Sequence, residues 1–205
     1  MWAPEIHWIS GQSSCYYAAG ISGTFDGQYL HVLKGSSTDI WESTWSYAGR
    51  IAIPNRDVLA IDATVLFLST GPYLVFSSWD GDDVSGFLIA LVYITNYSTV
   101  YSASNCASTG YSLGRIELTG SDPLSASSWT KYDNGPVFQA ANGNYAPGHN
   151  RFFTAIYIVY HASPSSTITC DGNRRTMVQA VGWHTDGTPN LSDPRALTDN
   201  VPEPA

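Results

Sequence analysis

Ala60-Ile-Asp-Ala-Thr-Val-Leu-Phe-Leu68, the turn residues Ser69-Thr70-Gly71 and then Pro72-Tyr-Leu-Val-Phe-Ser77 decide the fold class. Two short runs rich in β-branched and aromatic residues, separated by a glycine-bearing turn, read as a pair of strands. The pattern repeats outward in both directions. Upstream it gives Glu5–Ile9, Cys15–Ala19 and Tyr29–Leu33. Downstream it gives Phe87–Ile94, Ser98–Ala103, Tyr111–Leu118, Arg151–Phe153, Ala155–His161 and Met177–Trp183. Asp26-Gly27, Asp80-Gly81, Asn134-Gly135, Asn142-Gly143, Asp171-Gly172 and Asp186-Gly187 punctuate the runs, and such pairs accept the positive φ of tight hairpins. No long window carries a helical period. Asp122–Trp129, opened by Asp122-Pro123, predicts a single helical turn. The chain reads as all-β, with roughly 12 to 15 short strands.

A weak repeat bears on architecture. Tyr16-Tyr-Ala-Ala19, Tyr73-Leu-Val-Phe76, Val100-Tyr-Ser-Ala103 and Ile158-Val-Tyr-His161 each combine tyrosine with small or apolar residues, which suggests four sheet units. Trp45-Ser-Tyr-Ala-Gly-Arg-Ile51 and Trp129-Thr-Lys-Tyr-Asp-Asn-Gly-Pro-Val137 look like equivalent outer edges. A propeller of four-stranded blades fits this pattern, and a sandwich or jelly roll stays open at this point.

Composition narrows the partners. Charged residues make up 13% of the 205, about half of what is usual, whereas aromatics also reach 13%, with 7 Trp and 13 Tyr. A formal net charge of −8 argues against nucleic acid, which needs a basic patch. The longest apolar run, Phe87–Ile94, is far too short to cross a membrane as a helix. Few charges with many aromatics suit a neutral, polar ligand, with sugar as the leading candidate: rings stack on the apolar faces of sugars and short polar side chains bond their hydroxyls. Three cysteines without a Cys-x-x-Cys spacing disfavour zinc. Cys106 and Cys170, both in polar loops, are the preferred disulfide pair. Sequons at Asn96-Tyr-Ser98 and Asn190-Leu-Ser192 give weak support for secretion. Met1-Trp-Ala-Pro-Glu5 shows neither a basic start nor an apolar stretch, so no signal peptide is legible.

Four local signatures occur in order: Trp2-Ala-Pro-Glu-Ile-His7; Ile61-Asp-Ala-Thr64; Gly148-His-Asn150; and Asn173-Arg-Arg-Thr-Met-Val-Gln179, which leads to Trp183 and Asp186-Gly-Thr-Pro-Asn190. Together they resemble glycoside hydrolase family 43, five-bladed β-propellers that cleave arabinofuranosyl and xylosyl linkages. Tyr111–Asn150 looks like the corresponding stretch of fungal secreted members with exo-arabinofuranosidase-type activity. The resemblance covers most of the chain and is weakest around residues 80–100. It implies one propeller domain over 1–205 that lacks the first blade and part of the third and fourth.

Enzymes of that family invert at the anomeric carbon. One carboxylate activates water, a carboxylic acid protonates the leaving oxygen, and the two stand ~6.5–9.5 Å apart. A third carboxylate, an Asp, tunes the acid. By resemblance Asp62 is that third group. The family's base lies upstream of the Trp-Ala-Pro-Glu motif with which this chain opens. Its acid belongs to a Glu-Gly-Pro motif that is absent here, and none of Glu5, Glu42, Glu117 and Glu203 takes its place. General acid–base catalysis contributes about 10²–10⁴-fold, so the chain as written is expected to be inactive. A gene-model fragment and a non-catalytic carbohydrate-binding propeller are the alternatives. The resemblance further implies that Trp2 stacks on sugar and that Arg174, rather than Arg175, bonds it. His149 would hold a calcium or sodium ion in the axial channel, largely through waters. His161 and Glu5 read as structural. No organic cofactor is expected. The implied partners are arabinan, arabinoxylan or xylooligosaccharide, and the implied location is extracellular. A propeller short of a blade exposes two strand edges, which predicts low stability or an oligomer that covers them.

Overall fold

The computed structural model describes residues 1–21, 27–53, 59–69, 71–78, 91–92, 98–153 and 157–203. Among these, strand dominates, and the helical content is one 3-10 turn at Ala126–Ser128, inside the segment expected to make a helical turn. The chain divides into two compact units, Met1–Ile89 and Ala90–Ala205.

In the first unit, β1 (Trp2–Ile9), β2 (Gln12–Ala19), β3 (Tyr29–Gly35) and β4 (Trp45–Arg50) form one antiparallel sheet in chain order. β5 (Ala60–Leu68) and β6 (Gly71–Ser78) form a hairpin at the positions quoted from the sequence. β1 turns into β2 through Ser10-Gly11, both residues left-handed at φ 52° and 80°. A primed turn of this kind suits the twist of adjoining strands, and no Asn-Gly or Asp-Gly marks it in the sequence. The sheet packs against β5 around Ala18, Leu30, Ala60 and Ala63, with Ile51, Ile61, Leu74 and Phe76 beside them.

In the second unit, β7 (Leu91–Val92), β8 (Ser98–Ala103), β9 (Ser112–Leu118) and β10 (Trp129–Lys131) form another antiparallel sheet. β11 (Tyr145–Phe153), β12 (Tyr157–Ser163) and β13 (Arg175–Ala180) form a third. β14 (Gly182–Trp183) and β15 (Pro189–Asn190) close a short hairpin around the Asp186 turn, whose carboxylate accepts the Thr188 N–H (2.9 Å) and hydroxyl (2.7 Å). The core joins Val100, Leu113, Phe138, Ile158, Tyr160, Met177 and Leu191, with Phe138 and Tyr160 edge-to-face at 4.8 Å. Each aliphatic side chain buried here contributes about 1.5–3 kcal/mol.

The four tyrosine-bearing segments fall on β2, β6, β8 and β12, each the second strand of its sheet in chain order. The two Trp-led segments are β4 and β10, the outer edges of their sheets. Gly27, Gly135, Gly143 and Gly187 of the turn dipeptides have positive φ, and Asn142 joins Gly143 in it. Asp80-Gly81 and most of Phe87–Ile94 lie outside the described residues. β11 begins six residues before the Arg151 start expected from sequence, because Pro147 and Gly148 read as breakers. The structure accommodates them in two register shifts, between Tyr145 and Gly148 and between Gly148 and Arg151. Cys106 and Cys170 are disulfide-bonded with Cα atoms 5.4 Å apart, and Cys15 is a buried free thiol.

Candidate functional site

Three first strands carry Trp2, Asp62 and His149, and each is bulged where they sit, whereas Arg174 lies just before β13. On β1 the register shifts between Trp2 and Glu5, with Ala3 at φ 41°. On β5 it shifts between Ile61 and Thr64, with Asp62 at φ 53°. On β11 Ala146 and His149 stand at φ 46° and 52° within the two shifts. Left-handed non-glycine residues are uncommon and cost energy, and a bulge re-aims a side chain that regular pleating would fix to one face. Sequence reading placed the residues and missed the backbone. Only the small or polar identities of Ala3, Asp62 and Ala146 hint at it.

In the first unit Trp2 is 39% exposed and Asp62 is half-buried. Glu5 and His7, two apart on one face of β1, meet at 2.9 Å, which agrees with an anchoring role for Glu5. A cleft of about 440 Å³ opens beside Tyr16, Val32, Lys34, Val65 and Tyr73, and neither Trp2 nor Asp62 lines it. The cleft and the predicted site are therefore different places.

In the second unit Arg174 gathers residues from outside the four motifs. Its Nε–H donates to His161 Nδ1 (2.6 Å), Nη1 to Cys106 O (3.2 Å), and Nη2 to His161 O (3.0 Å) and Ala146 O. Four of the guanidinium's five N–H bonds are thus spent on protein among the described residues. The guanidinium also lies 5.2 Å from the Tyr111 ring centroid. Adjacent Arg175, the first residue of β13, is exposed. Because His161 Nδ1 accepts the Arg174 proton, the neutral ring carries its own proton on Nε2. Burial first, then the Arg174 charge and His149, push its pKa down to about 4. The His149 and His161 rings lie 5.2 Å apart, and the His149 backbone N–H donates to buried Ser102 Oγ (2.7 Å).

The ion expected at His149 finds a poor donor set. Among the described residues no three His, Cys, Asp or Glu side chains group to hold a metal. Hard cations want oxygen ligands, and the neighbouring imidazole already faces a guanidinium. The residues do not fit a directly ligated calcium or sodium ion.

Gln179 is a structural residue that sequence reading quoted without giving it a role. Its Nε2 donates to Leu191 O (2.8 Å) and Asp193 O (3.2 Å), and its Oε1 accepts Tyr160 Oη–H (3.0 Å) and Arg195 N–H (3.0 Å). A fully buried amide with every hydrogen bond satisfied holds the last segment to the core.

No protein-family model matches the chain. An extracellular exo-α-(1→5)-L-arabinofuranosidase of Streptomyces avermitilis is 29% identical over 245 residues, covering 96% of this chain and 50% of the relative. That alignment is longer than the 205-residue chain, so the relative carries internal residues with no counterpart here. The chain spans about half the length of the curated relatives it matches. The crystal structure of an α-L-arabinofuranosidase from Lactobacillus brevis superposes with a TM-score of 0.83 at 27% identity, covering 97% of this chain and 78% of that one. A family 43 endo-arabinanase from Bacillus licheniformis, 16% identical, shares the fold with a TM-score of 0.62. The homologues of this chain are thus arabinofuranosidases and arabinanases of glycoside hydrolase family 43, and its fold is that of the family's five-bladed β-propellers, represented in part.

Proposed function

We propose that this polypeptide is the pocket-wall portion of a family 43-type protein that recognises arabinofuranosyl or xylosyl units of plant cell-wall polysaccharides. As it stands it does not turn them over. The observation that carries the reading is the backbone at Ala3, Asp62 and His149. The three bulged, left-handed positions coincide with the motifs on which the resemblance rests. In this reading Trp2 stacks on a sugar ring and the Asp62 carboxylate bonds its hydroxyls. Arg174 holds Ala146, Cys106 and His161 in place and also bonds the sugar. By resemblance, water activation and leaving-group protonation belong to a base and an acid that this chain lacks. An ion at His149 would be held weakly, through waters. Calcium is expected to bind no tighter than about 1 mM, and the reaction is not routed through it. Extracellular location follows the name of the Streptomyces relative.

The test is purified chain with an aryl arabinofuranoside and, separately, arabino- and xylo-oligosaccharides in a calorimeter. Hydrolysis is expected to match the buffer control, with oligosaccharide binding that weakens in Asp62→Asn. Saturable turnover abolished by Asp62→Asn would overturn the assigned inactivity. Absence of binding to every oligosaccharide would overturn the sugar reading.

A further inference from the structure

Asn190-Leu-Ser192 is an acceptor sequence for an asparagine-linked glycan, a bulky group that only a surface position tolerates. The structure puts the motif where β15 ends and the last segment of the chain begins. Asn190 and Ser192 are exposed, and Leu191 between them is 2% exposed in the core of the second unit. Gln179 Nε2 donates to the carbonyls on either side of Ser192, those of Leu191 (2.8 Å) and Asp193 (3.2 Å). Buried groups therefore hold the backbone of the motif inward, and its two polar residues stay at the surface. The position is a polar turn rather than an apolar sheet face.

Side-chain bonding leaves the reactive atom uncommitted. Asn190 Oδ1 accepts the Ser192 N–H (3.1 Å), an Asx turn that spans the motif. Ser192 is left-handed at φ 51°, which bends the chain there. Asn190 Nδ2 donates no hydrogen bond among the described residues. By contrast, the amide nitrogens of Asn142, Asn144 and Asn173 are spent on Pro194 O (2.9 Å), Arg195 O (2.8 Å) and Asp171 Oδ2 (3.2 Å). A glycan on any of these three would break a bond that holds the fold. On Asn190 it breaks none, because the turn uses the oxygen alone. Across the ladder Asn190 pairs with Gly182, which has no side chain to crowd it. A Cβ built on Gly182 would meet only Asn190, at 3.7 Å.

The compartment fits as well. The Cys106–Cys170 bridge belongs to an oxidising environment, and the secretory route that forms such bridges is the one in which these motifs are modified. We propose that Asn190 is an N-glycosylation site, used when the chain passes through a eukaryotic secretory route. Its Nδ2 attacks the anomeric carbon of a lipid diphosphate-linked oligosaccharide. The N–C bond forms and the C–O bond to the diphosphate breaks. The lipid diphosphate leaves with the bonding electrons, and one amide proton passes to a base of the transferring enzyme. The inference shares the extracellular reading proposed above and is independent of which sugar the chain recognises.

The test uses the full chain behind a cleavable signal sequence, translated in vitro with endoplasmic-reticulum microsomes and, separately, secreted from yeast. Glycan is added during translocation, so the microsomal arm does not depend on folding, and protection from added protease identifies the chains that entered. Protected parent chain is expected to carry a glycan that a peptide N-glycosidase removes, leaving aspartate at position 190 in the released peptide. Asn190→Gln and Ser192→Ala should each remove one mobility step that Ser192→Thr retains. Asn96→Gln should retain it too; Asn96, in the other sequon, lies outside the described residues. Yeast-secreted chain should carry the glycan at Asn190. A protected chain without glycan, or an unchanged number of steps in Asn190→Gln, would overturn the site. Glycan at Asn190 on retained molecules, with secreted ones bare, would overturn it as well, since the fold would then exclude the glycan. The added signal enforces entry, so each of these failures belongs to the site and leaves the extracellular reading standing.

Discussion

Tyr111 lies against Gly148 so closely that no side chain fits between them: a Cβ on Gly148 would stand 2.1 Å from the tyrosine ring. Gly148→Ala is therefore expected to destabilise the protein by about 1–3 kcal/mol through overpacking, read as a lower urea midpoint with an unchanged slope. The same ring receives Arg174, so the substitution also disturbs the clamp that orients His161. Tyr160 gives a pH prediction. Burial pushes its phenol up to about 12, and its proton is donated to Gln179 Oε1. The folded pKa lies above the unfolded value of about 10. The contribution is therefore complete below pH 10 and is lost as pH rises through 10 towards 12. Thermal melts across that window should fall more steeply for the parent than for Tyr160→Phe, which starts less stable because Gln179 Oε1 loses one donor. Parallel slopes for the two proteins would contradict the assignment.

At the scale of elements, hairpin spacing and turn chemistry were legible. Ala60–Leu68 and Ser98–Ala103 occur with the bounds read from sequence, and β4 and β10 are the outer edges their Trp-led segments suggested. Periodicity along one strand reports which residues alternate between faces, so it locates strands well. It does not report a register shift, which depends on the partner strand. Hence β11 was read too short, and the bulges at Ala3, Asp62 and His149 were not seen. The Cys106–Cys170 bridge ties the β8–β9 connection to the segment leading into β13, four residues before Arg174. Replacing both cysteines with serine should cost about 2–5 kcal/mol. It should also loosen the Arg174 bond to Cys106 O, visible as faster amide exchange around residues 104–110 and 170–174. A Tm equal to the parent's would show that the bridge adds nothing.

Across the whole molecule the two units are built unequally. The first has a cluster of buried Ala18, Leu30, Ala60 and Ala63. The second unites Val100, Leu113, Phe138, Ile158, Tyr160, Met177 and Leu191 and adds a disulfide. Larger buried side chains remove more apolar surface from water per residue, and exchange protection follows local stability. Slowly exchanging amides are therefore expected in β8, β9, β12 and β13, with β1–β4 exchanging sooner. The reverse order, measured by hydrogen–deuterium exchange, would contradict this account of the cores.

The sequence by itself determined what local chemistry controls. Strand-forming runs, turn dipeptides and a small polar loop vocabulary specified an all-β chain. Four ordered motifs pointed to Trp2, Asp62, His149 and Arg174, and the scarcity of charge pointed to a neutral ligand. The tertiary structure decided what depends on residues far apart in the chain. It set Arg174 on the carbonyls of Cys106 and Ala146, 68 and 28 residues away, and so committed most of its donors to structure. It gathered Trp8 of β1 and Trp45 and Tyr47 of β4 onto one face of the first sheet. A motif names the side chain available, but which partner reaches it first is set by strand register and packing, and neither is written in the neighbouring residues.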